Sequence, residues 1–103
     1  MCTELSVTAI ISCNVLTDAR LPEEFSIIEG MGFHLWYLGV SHPARVSKVN
    51  GNLKQGDAGT FEILFTGIDG EADSLKKGLR LELYGGVHIK FAEGEILDII
   101  DIV

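Results

Sequence analysis

The chain has 103 residues, 47% of them hydrophobic and 22% charged, a balance that excludes an unstructured segment and, at this length, predicts a single domain over 1–103. Its formal net charge is −7 with a pI near 4.7, and the basic residues are few and scattered, so a surface that tracks nucleic-acid phosphates is not expected. No run approaches the roughly 20 apolar residues of a helical membrane span, and the opening segment lacks the basic region of a secretory signal; a cytoplasmic protein without a membrane partner is expected.

Leu5 to Ile11 sets Leu5, Val7, Ala9 and Ile11 against Ser6, Thr8 and Ile10, the period of two that marks a half-buried strand. The pattern then lapses from 14 to 32. Leu21-Pro22-Glu23-Glu24 has the form of a single helical turn with proline in its first position, followed by Phe25, Ile27 and Ile28 as anchors to the core. Cys2 and Cys13 bracket the first strand. Eleven extended residues span roughly 36 Å, too far for a disulfide, so two reduced thiols are expected.

Phe33 to Val40 reads as a strand with Phe33, Leu35 and Tyr37 on one face and His34, Trp36, Leu38 and Val40 on the other. Large apolar groups on both faces leave two readings. Either the 14–32 segment covers the outer face, or Trp36 and Leu38, with His34 beside them, present an anchor to a partner. Ser41-His42-Pro43 is expected to turn the chain, Ala44 to Asn50 to form a strand, and Asn50-Gly51 to turn again.

Alternation is clearest in the second half. Phe61, Ile63 and Phe65 oppose Thr60, Glu62 and Leu64; Leu79, Leu81 and Leu83 oppose Arg80, Glu82 and Tyr84; Val87, Ile89 and Phe91 oppose His88 and Lys90. A loop of Gly85 and Gly86 alone would put Leu83 opposite His88, mixing buried and solvated residues on one face. A three-residue loop of Tyr84, Gly85 and Gly86 pairs Leu83 with Val87, Leu81 with Ile89 and Leu79 with Phe91. It also sets Glu82 facing His88, and Arg80 against Lys90. The 66–74 connection is polar, and its Asp69, Glu71 and Asp73 alternate like calcium ligands without the closing glutamate of an EF-hand. Ile96 to Val103, with Asp98 and Asp101, reads as an acidic edge strand.

Gly56-Asp57, the strand after it, Gly78-Leu79-Arg80-Leu81-Glu82-Leu83 and Gly85-Gly86 together resemble the C-terminal β-barrel domain of elongation factor Tu and related translational GTPases. In that family a PGD turn precedes one strand, and a G-L-R-F-x-I-R-E-G-G-R-T segment forms a hairpin before the closing strand. Gly30 to Leu38 resembles a further strand of the family, G-Y-R-P-Q-F-Y-F. The chain departs from it at Phe33-His34, where the family has a proline, at Tyr84, and at Val87, where it has an arginine. The resemblance implies an all-β fold, a six-stranded antiparallel Greek-key barrel. Without a phosphate-binding loop, GTPase activity does not carry over. In the family this domain packs on neighbouring domains, contacts transfer RNA and receives the exchange factor; only docking to protein suits an acidic, isolated copy.

No catalytic, cofactor or metal set emerges from the residues. His34, His42 and His88 are dispersed, with no H-x-H, H-E-x-x-H or C-x-x-C spacing, and no base accompanies a thiol or hydroxyl nucleophile. Glu82 beside His88 reads as a cross-strand charge contact. The expected function is therefore a non-catalytic interaction module, without cofactor, that binds a protein partner or a second copy of itself through Trp36, Leu38 and His34. Two alternatives stay open. One is a small-ligand-binding barrel with a pocket lined by Trp36, Tyr37 and Tyr84. The other is an RNA-contacting translation accessory, in which folding gathers Arg45, Lys48 and Lys54 with Lys76, Lys77, Arg80 and Lys90.

Overall fold

A computed structural model describes residues 4–17, 20–21, 23–49, 53–68, 75–85 and 89–102. The strands are β1 (Glu4–Val15), β2 (Ser26–Ile27), β3 (Gly32–Tyr37), β4 (Val40–Val49), β5 (Leu53–Lys54), β6 (Ala58–Ile68), β7 (Arg80–Tyr84) and β8 (Lys90–Ile102). Six of them close an all-antiparallel barrel in the order β1-β6-β4-β3-β7-β8, with β8 returning to β1, while β2 and β5 form a separate two-stranded sheet. Successive strands β3, β4 and β6 are neighbours and β7 comes back beside β3, which is a Greek key.

Residues of like parity fill the interior. Ile11 of β1, Leu35 of β3, Ile63 of β6, Leu83 of β7 and Ile96 of β8 have no accessible surface, and removing each such side chain from water stabilises the fold by about 1.5–3 kcal/mol. Phe91 joins them, edge-on to Phe33 at 6.0 Å and tilted against Phe25 at 5.3 Å. Through Phe25, the buried Ile27 and the bond from Gly30 N–H to the Val46 carbonyl, the segment before β3 is tied to the barrel at the Phe33 end of that strand. Ile28 is no anchor; it is half exposed.

Several expectations give way to the geometry. Residues 23–24 form a turn, there is no helix among the described residues, and Pro22 lies outside them. β3 ends at Tyr37, and the chain reverses at Leu38-Gly39 rather than at Ser41-His42-Pro43. Pro43 is accommodated inside β4 because pairing with β6 begins only at Ala44, so its missing N–H interrupts no bond on that side.

The β7–β8 register also differs. Leu83 opposes Ala92, Leu81 opposes Gly94, and Arg80 opposes Glu95. A bulge at Phe91 and a link closed by Gly85 N–H to the Ile89 carbonyl make the connection longer than three residues, and Gly86, Val87 and His88 lie outside the described residues. β8 is no edge strand either, since it pairs with β7 on one side and β1 on the other. Its register shifts, at Leu97 and Ile100, break the alternation of its second half by inserting residues that have no partner.

Closure brings β1 and β8 together at Cys13 and Gly94. A side chain at Gly94 would fall on the Ser12 carbonyl oxygen and lie 2.8 Å from Cys13 Cα, and two backbones cannot move apart as a flexible side chain can. Gly94→Ala is therefore expected to lower unfolding free energy by about 3 kcal/mol or more, read from urea denaturation. Gly32→Ala is the control: its new methyl would meet only the Ala44 carbonyl oxygen, at 3.9 Å. Equal losses in the two variants would contradict the close approach.

Candidate functional site

The residues singled out for partner binding lie together on the outside of β3 and its turn. His34 and Leu38 are exposed and Trp36 is half-buried. Parity explains this: Phe33, Leu35 and Tyr37 face the core, so the residues between them face out. Trp36 is held by Tyr84 of β7, ring centroids 5.8 Å apart and tilted by 58°. The anchors of the segment before β3 lie toward Phe33, so the neighbour flanking the indole is Tyr84.

Cross-strand register surrounds Trp36 with polar groups. It opposes Ser41 of β4 and Glu82 of β7; Glu82 opposes Glu93 of β8, and Glu93 opposes Asn14 of β1. The carboxylates Glu82 and Glu93 thus face each other, a placement that destabilises a sheet. Lys90 relieves it, with Nζ 2.8 Å from Glu93 and 3.8 Å from Glu82, and the Tyr84 hydroxyl donates to the same Glu82 oxygen at 2.9 Å. Hydrogen bonding to Glu93 raises the Lys90 pKa, and the ammonium holds the Glu93 carboxyl below its ordinary range. Accepting from Tyr84, Glu82 raises the phenol.

Two depressions flank the indole. One, of about 130 Å³, lies among His34, Trp36, Ser41 and Tyr84. The other, of about 230 Å³, is bounded by Trp36, Leu38, Gly39, Arg80, Glu82 and Glu93 among others. Arg80 and Glu93 also border a third groove, of about 390 Å³, that runs over Ser12, Asn14 and Thr60. Trp36, Tyr37 and Tyr84 do not line one pocket, because Tyr37 faces the core, where its ring stacks on His42 at 4.2 Å and 9°.

His42 is the residue sequence reasoning missed. It is 3% exposed, and its Nδ1 lies 3.0 Å from the Thr66 carbonyl oxygen, so Nδ1–H donates. The signal was present in the parity of His42, Ala44 and Val46, and Pro43 obscured it. Among the described residues no group of three or more His, Cys, Asp or Glu is placed to hold a metal ion; Asp69, Glu71, Asp73 and His88 lie outside them. No helix among them is long and apolar enough to cross a membrane. Three of the basic residues stand against carboxylates: Lys48 opposes Glu62, Arg80 opposes Glu95, and Lys90 bonds Glu93.

Cys13 points inward between Gly59 of β6 and Gly94 of β8, and burial pushes its thiol from the ordinary 9.0 up to about 12. In a Cys2→Ser background it should react with an aromatic disulfide at pH 8 roughly 100-fold more slowly than in denaturant, because the thiolate is the reactive form. The folded pKa lies above the unfolded one. Stability from this group is therefore intact below pH 9 and is lost as pH rises from 9 toward about 12, which a Cys13→Ala variant should not reproduce. Rapid native labelling at pH 8 would contradict a buried thiol.

Comparison with protein-family models finds no match for the chain, and comparison with curated proteins finds none.

Proposed function

We propose that this chain is a non-catalytic interaction module that docks a protein partner on the outer face of β3, with Trp36 and Leu38 as anchors and His34 beside them. The observation that carries this reading is the turn. Leu38 and Gly39 have φ of 51° and 78°, positive at both central positions as a type I′ hairpin requires, and Asn-Gly is the favoured pair there. A leucine in that region costs about 1–2 kcal/mol of steric strain, and Leu38 is 58% exposed, so its side chain covers little of its own fold. Strain and exposure at one residue are accounted for by a surface outside this chain.

Neighbouring features support the same reading. Trp36 is braced by Tyr84 and borders the same groove as Leu38, a held aromatic beside an exposed apolar residue, as interface anchors are. Val40, opposite the core-facing Tyr37, is exposed but does not belong to this face. The barrel interior is packed with side chains, which favours an outer surface over an enclosed small-ligand site. Opposition of basic residues to glutamates across the strands favours protein over RNA. A six-stranded closed barrel is also what the resemblance to the elongation factor Tu C-terminal domain implies, and on that reading its docking role, rather than its RNA contacts, is the one retained.

Leu38→Asn separates fold from function. It should raise the unfolding free energy by about 1 kcal/mol in urea denaturation while abolishing capture of the proteins that the wild-type chain retains. Trp36→Ala should fold and lose the same proteins, and Ile28→Ser, at an exposed residue outside this face, should keep them. Unchanged capture by both Leu38→Asn and Trp36→Ala would reject the site.

A further inference from the structure

We infer that the partner presents an arginine beside an apolar side chain, its guanidinium lying on the Trp36 indole and pairing with the Glu82–Glu93 carboxylates. This rests on the docking reading above and specifies the chemistry of its partner.

The charge pattern next to Trp36 carries the inference. Where β7 pairs with β8, between Arg80–Tyr84 and Lys90–Glu95, three carboxylates, Glu82, Glu93 and Glu95, stand with two cations, Arg80 and Lys90, in registers that set Arg80 against Glu95 and Glu82 against Glu93. Lys90 lies close to Glu93 at 2.8 Å and long to Glu82 at 3.8 Å, and Arg80, set against Glu95, also favours the charged form of Glu93. Three carboxylates against two cations leave a surplus of one negative charge. Both carboxylate side chains remain open to solvent, 48% for Glu82 and 45% for Glu93, and the whole chain carries −7, which repels a second copy of itself and attracts a cationic partner.

Geometry selects arginine over lysine. Trp36 is opposite Glu82 across β3 and β7, so an aromatic face and a carboxylate border the same 230 Å³ groove. A planar guanidinium can stack on an indole while its edge donates in a fork to a carboxylate. An ammonium has no flat face, is more strongly hydrated and donates as a point charge. Leu38, at the mouth of the same groove, receives the apolar neighbour.

Trp36 is the only tryptophan in the chain, so its emission reads the groove directly. The full chain would be titrated with N-acetylated, amidated Leu-Arg-Leu, and with the same tripeptide carrying lysine or the neutral isostere citrulline at the centre. The arginine peptide should shift Trp36 emission saturably and bind at least about fivefold more tightly than the citrulline peptide, with lysine between them. The preference should vanish in Glu82→Gln/Glu93→Gln, whose fold is checked by circular dichroism, and shrink in 0.5 M salt, roughly, as screening requires. Equal affinity for arginine and citrulline peptides would overturn the arginine inference and leave apolar docking intact. Absence of any response would overturn it too, while the docking reading would still be decided by capture with Leu38→Asn. Concentration-dependent dimerisation abolished by Leu38→Asn would seat a second copy on the face and also overturn it.

Discussion

Backbone contact between β1 and β8 at Cys13 and Gly94 is the constraint on which the rest of the structure depends. β1 pairs along nearly its whole length with β6 and again with β8, and the second pairing turns a sheet into a barrel. Only a residue without a side chain fits at Gly94. Gly59 on the other side of Cys13 meets only the end of the Leu53 side chain, 2.7 Å from where a Cβ would stand, which can shift where the backbone at Gly94 cannot. At this end the inward row of the barrel runs Gly59, Cys13, Gly94 and then Leu81, with small residues at its first three places and Leu53 of the accessory sheet lying against Gly59. Closure leaves the six barrel strands no free edge to template aggregation.

The same closure organises the outer wall. Once β8 is fixed to β1, β7 is set between β8 and β3, and its outward residues Glu82 and Tyr84 are brought against Trp36 and His34. Trp36 is thus braced by a residue distant in sequence, and the carboxylate pair beside it is imposed by register rather than chosen locally. Two local penalties sit within this patch: opposed carboxylates at Glu82 and Glu93, and a left-handed leucine at the tip of the β3–β4 turn. Each would be relieved by a commonplace substitution. Their concentration beside one half-exposed tryptophan is what distinguishes this wall from the remainder of the barrel, where exposed apolar residues such as Leu64 or Ile100 occur without backbone strain.

The fold was legible where parity ran uninterrupted. Val7 to Ile11, Phe61 to Phe65 and Leu81 to Leu83 each bury the residues that alternation assigned to the core, while Leu79, before β7 begins, is only partly buried. Those runs anticipate antiparallel strands, and their closure into a six-stranded barrel is what the family resemblance implied. Alternation failed where the backbone inserts a residue. The bulge at Phe91 buries two successive residues, Phe91 and Ala92, and so moved the β7–β8 register; the bulges at Leu97 and Ile100 made β8 resemble an edge. Composition misled at two turns. Leu38-Gly39 carries no asparagine or aspartate to announce a hairpin, and Pro43 suggested a break that β4 does not have. For the candidate site, parity identified Trp36 and His34 as outward, and Leu38 was named for its exposure although it sits in a turn instead of a strand. Tyr84 as the brace and Glu93 as the second carboxylate depend on pairing across the barrel, which no local pattern in the sequence encodes.

Closure itself is the claim with most resting on it, and cross-strand Hα–Hα nuclear Overhauser contacts in solution test it most directly. If the barrel is shut, β1 shows such contacts to both β6 and β8, in the registers that align Ile10 with Glu62 and with Asp98, and the β8 amides bonded to β1 are protected from exchange. Contacts from β1 to β6 alone, with β8 amides exchanging freely along the side turned toward β1, would describe an open sheet and contradict the account.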